Sequence, residues 1–168
     1  EQAKKLFEEA NALLDEIIQK KLLRARAVYG IFPAHSVGDD VALFTDESRT
    51  TALETFHFLR QQTEQGEGTD AKKAHRCLAD FVAPASTKLP DHIGAFAVST
   101  GFGLKELCDG FRAKHDDYNA IMAEALADRL AEAFAECLHK RARDEWGYGK
   151  DERLTAQELI AEKYRGIR

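Results

Sequence analysis

Apolar residues keep a three- and four-residue interval at both ends of the chain and cluster in short runs through its middle, so helices are expected to flank a set of strands. Leu6, Phe7, Ala10, Leu13, Leu14, Ile17 and Ile18 hold the helical interval, which predicts an amphipathic helix from residue 1 to about 23. Residues 27–32, closed by Pro33, and residues 41–44 lie on either side of a Gly38-Asp39 turn and predict an antiparallel hairpin. Residues 51–62 carry both periods. Leu53, Phe56 and Leu59 suit a helix, whereas Thr55 to Phe58 suit a further strand of the same meander, and the strand is the reading adopted. Residues 77–82 and 92–98 are read as two more strands joined by a loop between Pro84 and Pro90, and residues 63–73 as a solvated loop or a short helix start. Gly101-Phe102-Gly103 breaks the chain before a helix begun by Leu104, Leu107, Cys108 and Phe111, and Thr155 with Glu158 forms a capping box for a last short helix to about Lys163. This order predicts an α+β fold of one domain over residues 1–168, a twisted antiparallel sheet packed with helices.

The longest element is a helix near 115–143, free of Gly and Pro and rich in alanine. Unbroken, it would run roughly 43 Å at about 1.5 Å per residue. Met122, Leu126, Leu130, Ala133, Phe134, Cys137 and Leu138 fall on one half of its surface, the half expected to be buried. On the other half Glu124, Asp128, Glu132 and Glu136 follow at i+4 steps, so four carboxylates line one ridge. Like charges at that spacing cost a few tenths of a kcal/mol each. The ridge reads either as a solvated face or as a place where one carboxylate meets a cation or an amine.

A length of 168 residues is enough for one domain with a sizeable core, and 44% hydrophobic with 32% charged residues is an ordinary globular composition. The net charge of −5 argues against nucleic acid as the main partner, and no apolar run is long enough to span a membrane. Cys77, Cys108 and Cys137 are odd in number and widely spaced, which suits reduced thiols in the cytoplasm. The chain shows no signal peptide, and because it opens without Met and closes on an arginine, both ends are expected to be cut.

Familiar chemistry is hard to assemble from these residues. Cys137 and His139 stand about 200° apart on a helix and cannot share an ion, and His75 with Cys77 lacks a second pair. Gly101-Phe102-Gly103 resembles the start of a dinucleotide loop, but Glu106 stands where a third glycine is required. No serine sits in a Gly-x-Ser-x-Gly setting, and His115-Asp116-Asp117 is read as a helix cap.

Seven words in order change the picture. They are Gly30 to Ala34 with Val37 to Asp40, Phe58 to Gln62, Leu78 to Pro84, Ile93 to Val98, His115 to Asn119, Ala125 to Glu136 and Gly166 to Arg168. Together they closely resemble the C-terminal activation domain of cobalamin-dependent methionine synthase, over essentially the whole chain. The resemblance implies a cytoplasmic S-adenosylmethionine-binding module, part of a methyltransferase rather than an enzyme on its own, that supports reductive methylation of oxidised cobalamin. Cobalamin would be held by a neighbouring module of the same parent protein, and flavodoxin or another reductase would supply the electron. The chemistry would belong to the cofactor, with the protein binding and orienting.

Two positions carry over from the family. Glu132, within Leu130-Ala-Glu-Ala-Phe134, matches an acid that helps hold S-adenosylmethionine, and Arg168 matches the arginine that opens a Pro-Ala-Pro-Gly-Tyr-Pro segment. A carboxylate suits the ligand's ammonium, and a guanidinium grips its carboxylate through two parallel hydrogen bonds. The chain stops before that proline-rich segment and begins after a family portion that adds an acidic contact, so it is expected to be the central part of the domain and to bind S-adenosylmethionine weakly or not at all by itself. The alternative is a non-catalytic scaffold or interaction fragment that binds no small ligand.

Overall fold

A computed structural model of the chain describes residues 1–62, 75–161, 163 and 164. Its elements, in order, are α1 (Gln2–Lys20), β1 (Arg24–Val37), β2 (Asp40–Phe44), β3 (Ala52–His57), β4 (Asp91–Phe102), α2 (Leu104–Arg112), α3 (Asp117–Trp146) and α4 (Ala156–Ile160), with short 3-10 helices at Leu78–Phe81 and Ala85–Thr87. The strands form a four-stranded antiparallel sheet in the order β3-β2-β1-β4. The architecture is α+β, as expected, and α3 is its long helix. Two compact units divide it: Glu1–Val28 with Ala97–Ile167, and Tyr29–Phe96.

The first unit is built on α3. Leu13 and Ile17 of α1, Cys108 of α2, and Ala120, Met122 and Ala123 of α3 are buried together, with Leu104, Leu107, Phe111 and Leu126 packed around them. Ala120 and Ala123 are wholly buried, so small side chains let neighbouring elements approach the helix closely. Helix α1 stops at Lys20 because Lys21 turns left-handed, and the N–H groups of Lys21 and Leu22 then bond back to Ile18 and Ile17 carbonyls. Gly103, at φ 99°, precedes α2 where a Cβ would collide with the Leu22 carbonyl oxygen, so glycine is required there. Asp116 caps α3 by accepting from the Asn119 N–H at 3.1 Å, and Gly147, left-handed at φ 103°, ends it. Helix α3 therefore spans Asp117–Trp146, a little later at both ends than its apolar pattern predicts. Cys137, expected on the buried half, is exposed.

In the second unit the hairpin pairs Ala34 with Leu43, Ser36 with Val41 and Val37 with Asp40, around a turn whose Gly38 sits at φ 65°. Pairing to β2 starts just past Pro33, so the proline lies inside β1 without breaking a hydrogen bond to β2. Residues 52–57 form β3 and settle the ambiguous stretch as strand, with Phe56 opposite Val41. Ala34, Val41, Leu43, Cys77, Ala79 and Val82 make the core of this unit.

Residues 77–82, expected as a strand, instead contain the 3-10 helix Leu78–Phe81. The reason is local and polar. The Asp80 carboxylate accepts from the Cys77 N–H at 2.9 Å, which winds the chain, and Arg60 holds that carboxylate through two further bonds of 2.8 Å. Arg60 also donates to Asp39 at 2.7 Å and to the His75 carbonyl at 2.7 Å. The Arg60 hydrogen bond, followed by the Cys77 N–H, holds the Asp80 carboxyl down at about 2, below its ordinary 3.8. A depressed folded-state pKa stabilises the fold above the unfolded value and loses that contribution as pH falls through the folded one. The stability gap between the wild type and Asp80→Asn is therefore expected to close as pH falls from about 4 to about 2. Melting midpoints measured against pH check this, and a gap constant across that window would remove Asp80 as the acid-sensitive group.

Candidate functional site

Helix α3 presents two different sides. Leu130, Ala133 and Phe134 help line an apolar cleft of about 420 Å³, together with Ile17, Ile18 and the stems of Lys21 and Arg24. At about 100° per residue, Glu132 points some 150° away from that group, so the candidate ligand carboxylate lies on the opposite side from the cleft.

The acidic ridge divides by partner. Glu124 accepts from Arg112 of α2 at 2.7 Å and serves to join two helices. Burial pushes the Cys108 thiol up, and the Glu124 charge adds to the effect, so this cysteine stays protonated and apolar in character. Asp128 and Glu136 are exposed. Glu132 pairs with Arg129 one turn earlier at 2.8 Å, and both side chains are more than half exposed, at 63% and 71%. Exposed pairs of this kind contribute about 0–1 kcal/mol, so Arg129 can release the carboxylate at small cost. Ala131 and Ala135 flank Glu132 and leave the helix surface low beside it.

Followed toward its C-terminal end, the Glu132 ridge continues at i+4, i+3 and i+4 steps through Glu136, His139 and Arg143. There the last described part of the chain lies against it. Arg143 is 1% exposed and donates to both Glu152 oxygens at 2.7 and 2.8 Å. The Tyr164 ring sits 4.1 Å from its guanidinium carbon and meets the His139 ring edge-on at 5.3 Å. Arg168, the second residue expected at the site, lies outside the described residues, as do Gly166, Ile167 and the 63–73 stretch expected as a loop or helix start.

No three His, Cys, Asp or Glu side chains gather in a metal-binding group among the described residues. None of the described helices is long and apolar enough to cross a membrane. His92 meets Glu47 at 2.7 Å and His57 meets Asp40 at 3.0 Å, both at the surface of the second unit.

A family model described as the vitamin B12 dependent methionine synthase activation domain matches residues 1–168. The chain belongs to this family. It is also 52% identical to a solved structure described as the MetH reactivation domain bound to AdoHcy, with a TM-score of 0.87. That match covers 99% of this chain and 50% of the other, so the chain spans about half the length of the structure it matches. The family resemblance carried by the seven sequence words is thus shown, together with the α+β fold. The Arg129 partner of Glu132 was readable as an i,i+3 pair within the activation-domain helix. The Arg143, Glu152 and Tyr164 cluster was not, because an irregular segment and α4 separate its members in sequence.

Proposed function

We propose that this chain is the S-adenosylmethionine-binding part of a reactivation module in a cobalamin-dependent methionine synthase. What carries the reading is the 52% identity, over nearly the whole chain, to a reactivation domain bound to AdoHcy. AdoHcy differs from S-adenosylmethionine only by the transferable methyl group and the positive charge it places on sulfur. Glu132 is the ligand's ammonium partner: exposed, loosely held by Arg129 and bordered by alanines. Arg168 takes the ligand carboxylate through its planar fork. When bound, S-adenosylmethionine would supply an electrophilic methyl group to reduced cobalamin held by another module of the parent protein, leaving AdoHcy, and flavodoxin or another reductase would supply the electron. The role of this chain is to bind and orient the methyl donor.

Calorimetric titration of the full-length protein with S-adenosylmethionine tests the proposal. One saturable site per chain is expected, with AdoHcy competing for it. Absence of heat and of competition would overturn the reading.

A further inference from the structure

The geometry points to a second ligand site, separate from the one proposed above: the apolar cleft beside α3 binds a free carboxylate with an apolar chain, of the medium-chain fatty-acid class, with Lys21 and Arg24 holding its head. The cleft is lined by residues of α1, β1, β4 and α3 and of the link between α1 and β1, all within the first unit.

The apolar side of α3 is covered along only part of its length. Met122, Ala123 and Ala127 are buried, but farther along Leu130 and Phe134 are half-buried, and Ala133 and Cys137 are exposed. At about 100° per residue these last four share an arc of about 100°. Asp128, Glu132 and Glu136 stand at least about 120° from Leu130, so no acid of the ridge looks into the cleft. Ile18, on the α1 side, is 62% exposed. Thr100 adds no free donor, because its hydroxyl donates to the Ala127 carbonyl at 2.7 Å. From Leu130 to Cys137 the open strip runs about 10.5 Å at 1.5 Å per residue, room for an apolar tail of medium length.

The head of the site is cationic. Lys21 and Arg24 line the cleft, and neither has an ion pair among the described residues. No acid occurs between Glu16 and Asp39 in the sequence, and Glu16 is held by Lys20 at 2.7 Å. The turn that presents the two cations is fixed by the left-handed Lys21, at φ 52°, and by the close approach of the Leu22 carbonyl to Gly103. A helix C-terminus accounts for a cation at Lys21, whereas Arg24 opens a strand and has no such reason to be there. A guanidinium takes both oxygens of a carboxylate, and a nearby ammonium adds a further donor.

Size decides between a small molecule and a protein. The cleft volume of about 420 Å³ falls within the range of about 300–1,000 Å³ usual for small-molecule sites. A stable protein interface engages about 20–30 residues a side, and ten line this cleft.

The test is calorimetric titration of the full-length protein with sodium decanoate below its micelle-forming concentration, with melting midpoints measured beside it. One saturable site is expected, and decanol, which has the chain without the charge, should bind at least about tenfold more weakly. The double variant Lys21→Gln with Arg24→Gln should lose at least about tenfold in decanoate affinity, and Ala133→Trp, which fills the cleft from an exposed position, should abolish binding. Alkylation of Cys137, the exposed one of the three cysteines, should slow severalfold under saturating decanoate when followed by mass spectrometry of its peptide, and this arm carries the test if a variant fails to fold. Absence of decanoate binding, equal affinity for decanol, unchanged affinity in either folded variant or unchanged alkylation at saturation would each overturn the inference. Binding to phosphatidylglycerol vesicles without binding of free decanoate would assign the cations to a lipid surface and overturn it as well. S-adenosylmethionine binding is expected to be the same in these variants, so the two sites stand or fall separately.

Discussion

Replacing Glu132 by Gln is expected to weaken S-adenosylmethionine binding by the full-length protein by about ten- to a hundredfold with almost no change in stability. The magnitude follows from removing a charged hydrogen-bond acceptor that, in the proposed site, faces the ligand's ammonium, an interaction that contributes about 1.5–3 kcal/mol. The stability side follows from the geometry. Glu132 is 63% exposed and meets an arginine that is 71% exposed, an arrangement that contributes about 0–1 kcal/mol and is screened by salt. Melting midpoints of the two proteins should agree within about 2 °C. Calorimetric titration and thermal melting, run on the same preparations, separate the two effects. An unchanged affinity would return Glu132 to the solvated face with Asp128 and Glu136.

Arg143→Ala should behave in the opposite way and cost about 3–5 kcal/mol of stability. Arg143 is almost completely buried, and its removal leaves the largely buried Glu152 carboxylate without its bidentate partner and the Tyr164 ring without its cation. The double variant Arg143→Met with Glu152→Leu removes both charges at once and should recover much of that loss, because an apolar pair of similar volume escapes the desolvation penalty. Denaturant unfolding of the wild type, Arg143→Met, Glu152→Leu and the double variant, with Arg143→Ala beside them, measures the coupling. A loss below about 1 kcal/mol for Arg143→Ala would show that the cluster is solvated and contributes little.

The two substitutions mark what the sequence could and could not reveal. The helices at either end were legible because each has a long run with a single period, and their caps are short-range signals: Asp116 before α3 and Thr155 with Glu158 before α4. The hairpin was legible in outline, but its register was not, because Pro33 suggested an end where the chain only passes a position with no bond to β2. Residues 77–82 misled for a different reason. Their apolar run suits a strand, and the conformation is decided by Asp80 and by Arg60, twenty residues away. Periodicity carries no information about such a partner.

The candidate site divides along the same line. Glu132 stood out only as one of four equivalent carboxylates until family likeness singled it out, while its pairing with Arg129 needed no more than helix geometry. The partition of the ridge had to come from the fold. Glu124 is drawn toward α2 by Arg112, and Tyr164 lies over Arg143 at the far end, while the Glu132 side chain between them is exposed.

The measurement that bears most directly on this account is amide hydrogen exchange of the full-length protein with and without saturating S-adenosylmethionine. Slower exchange is expected in α3 around Glu132 and in the segment that contains Arg168. Saturation by the ligand with no slowing in either place would contradict the assignment of the site to this ridge.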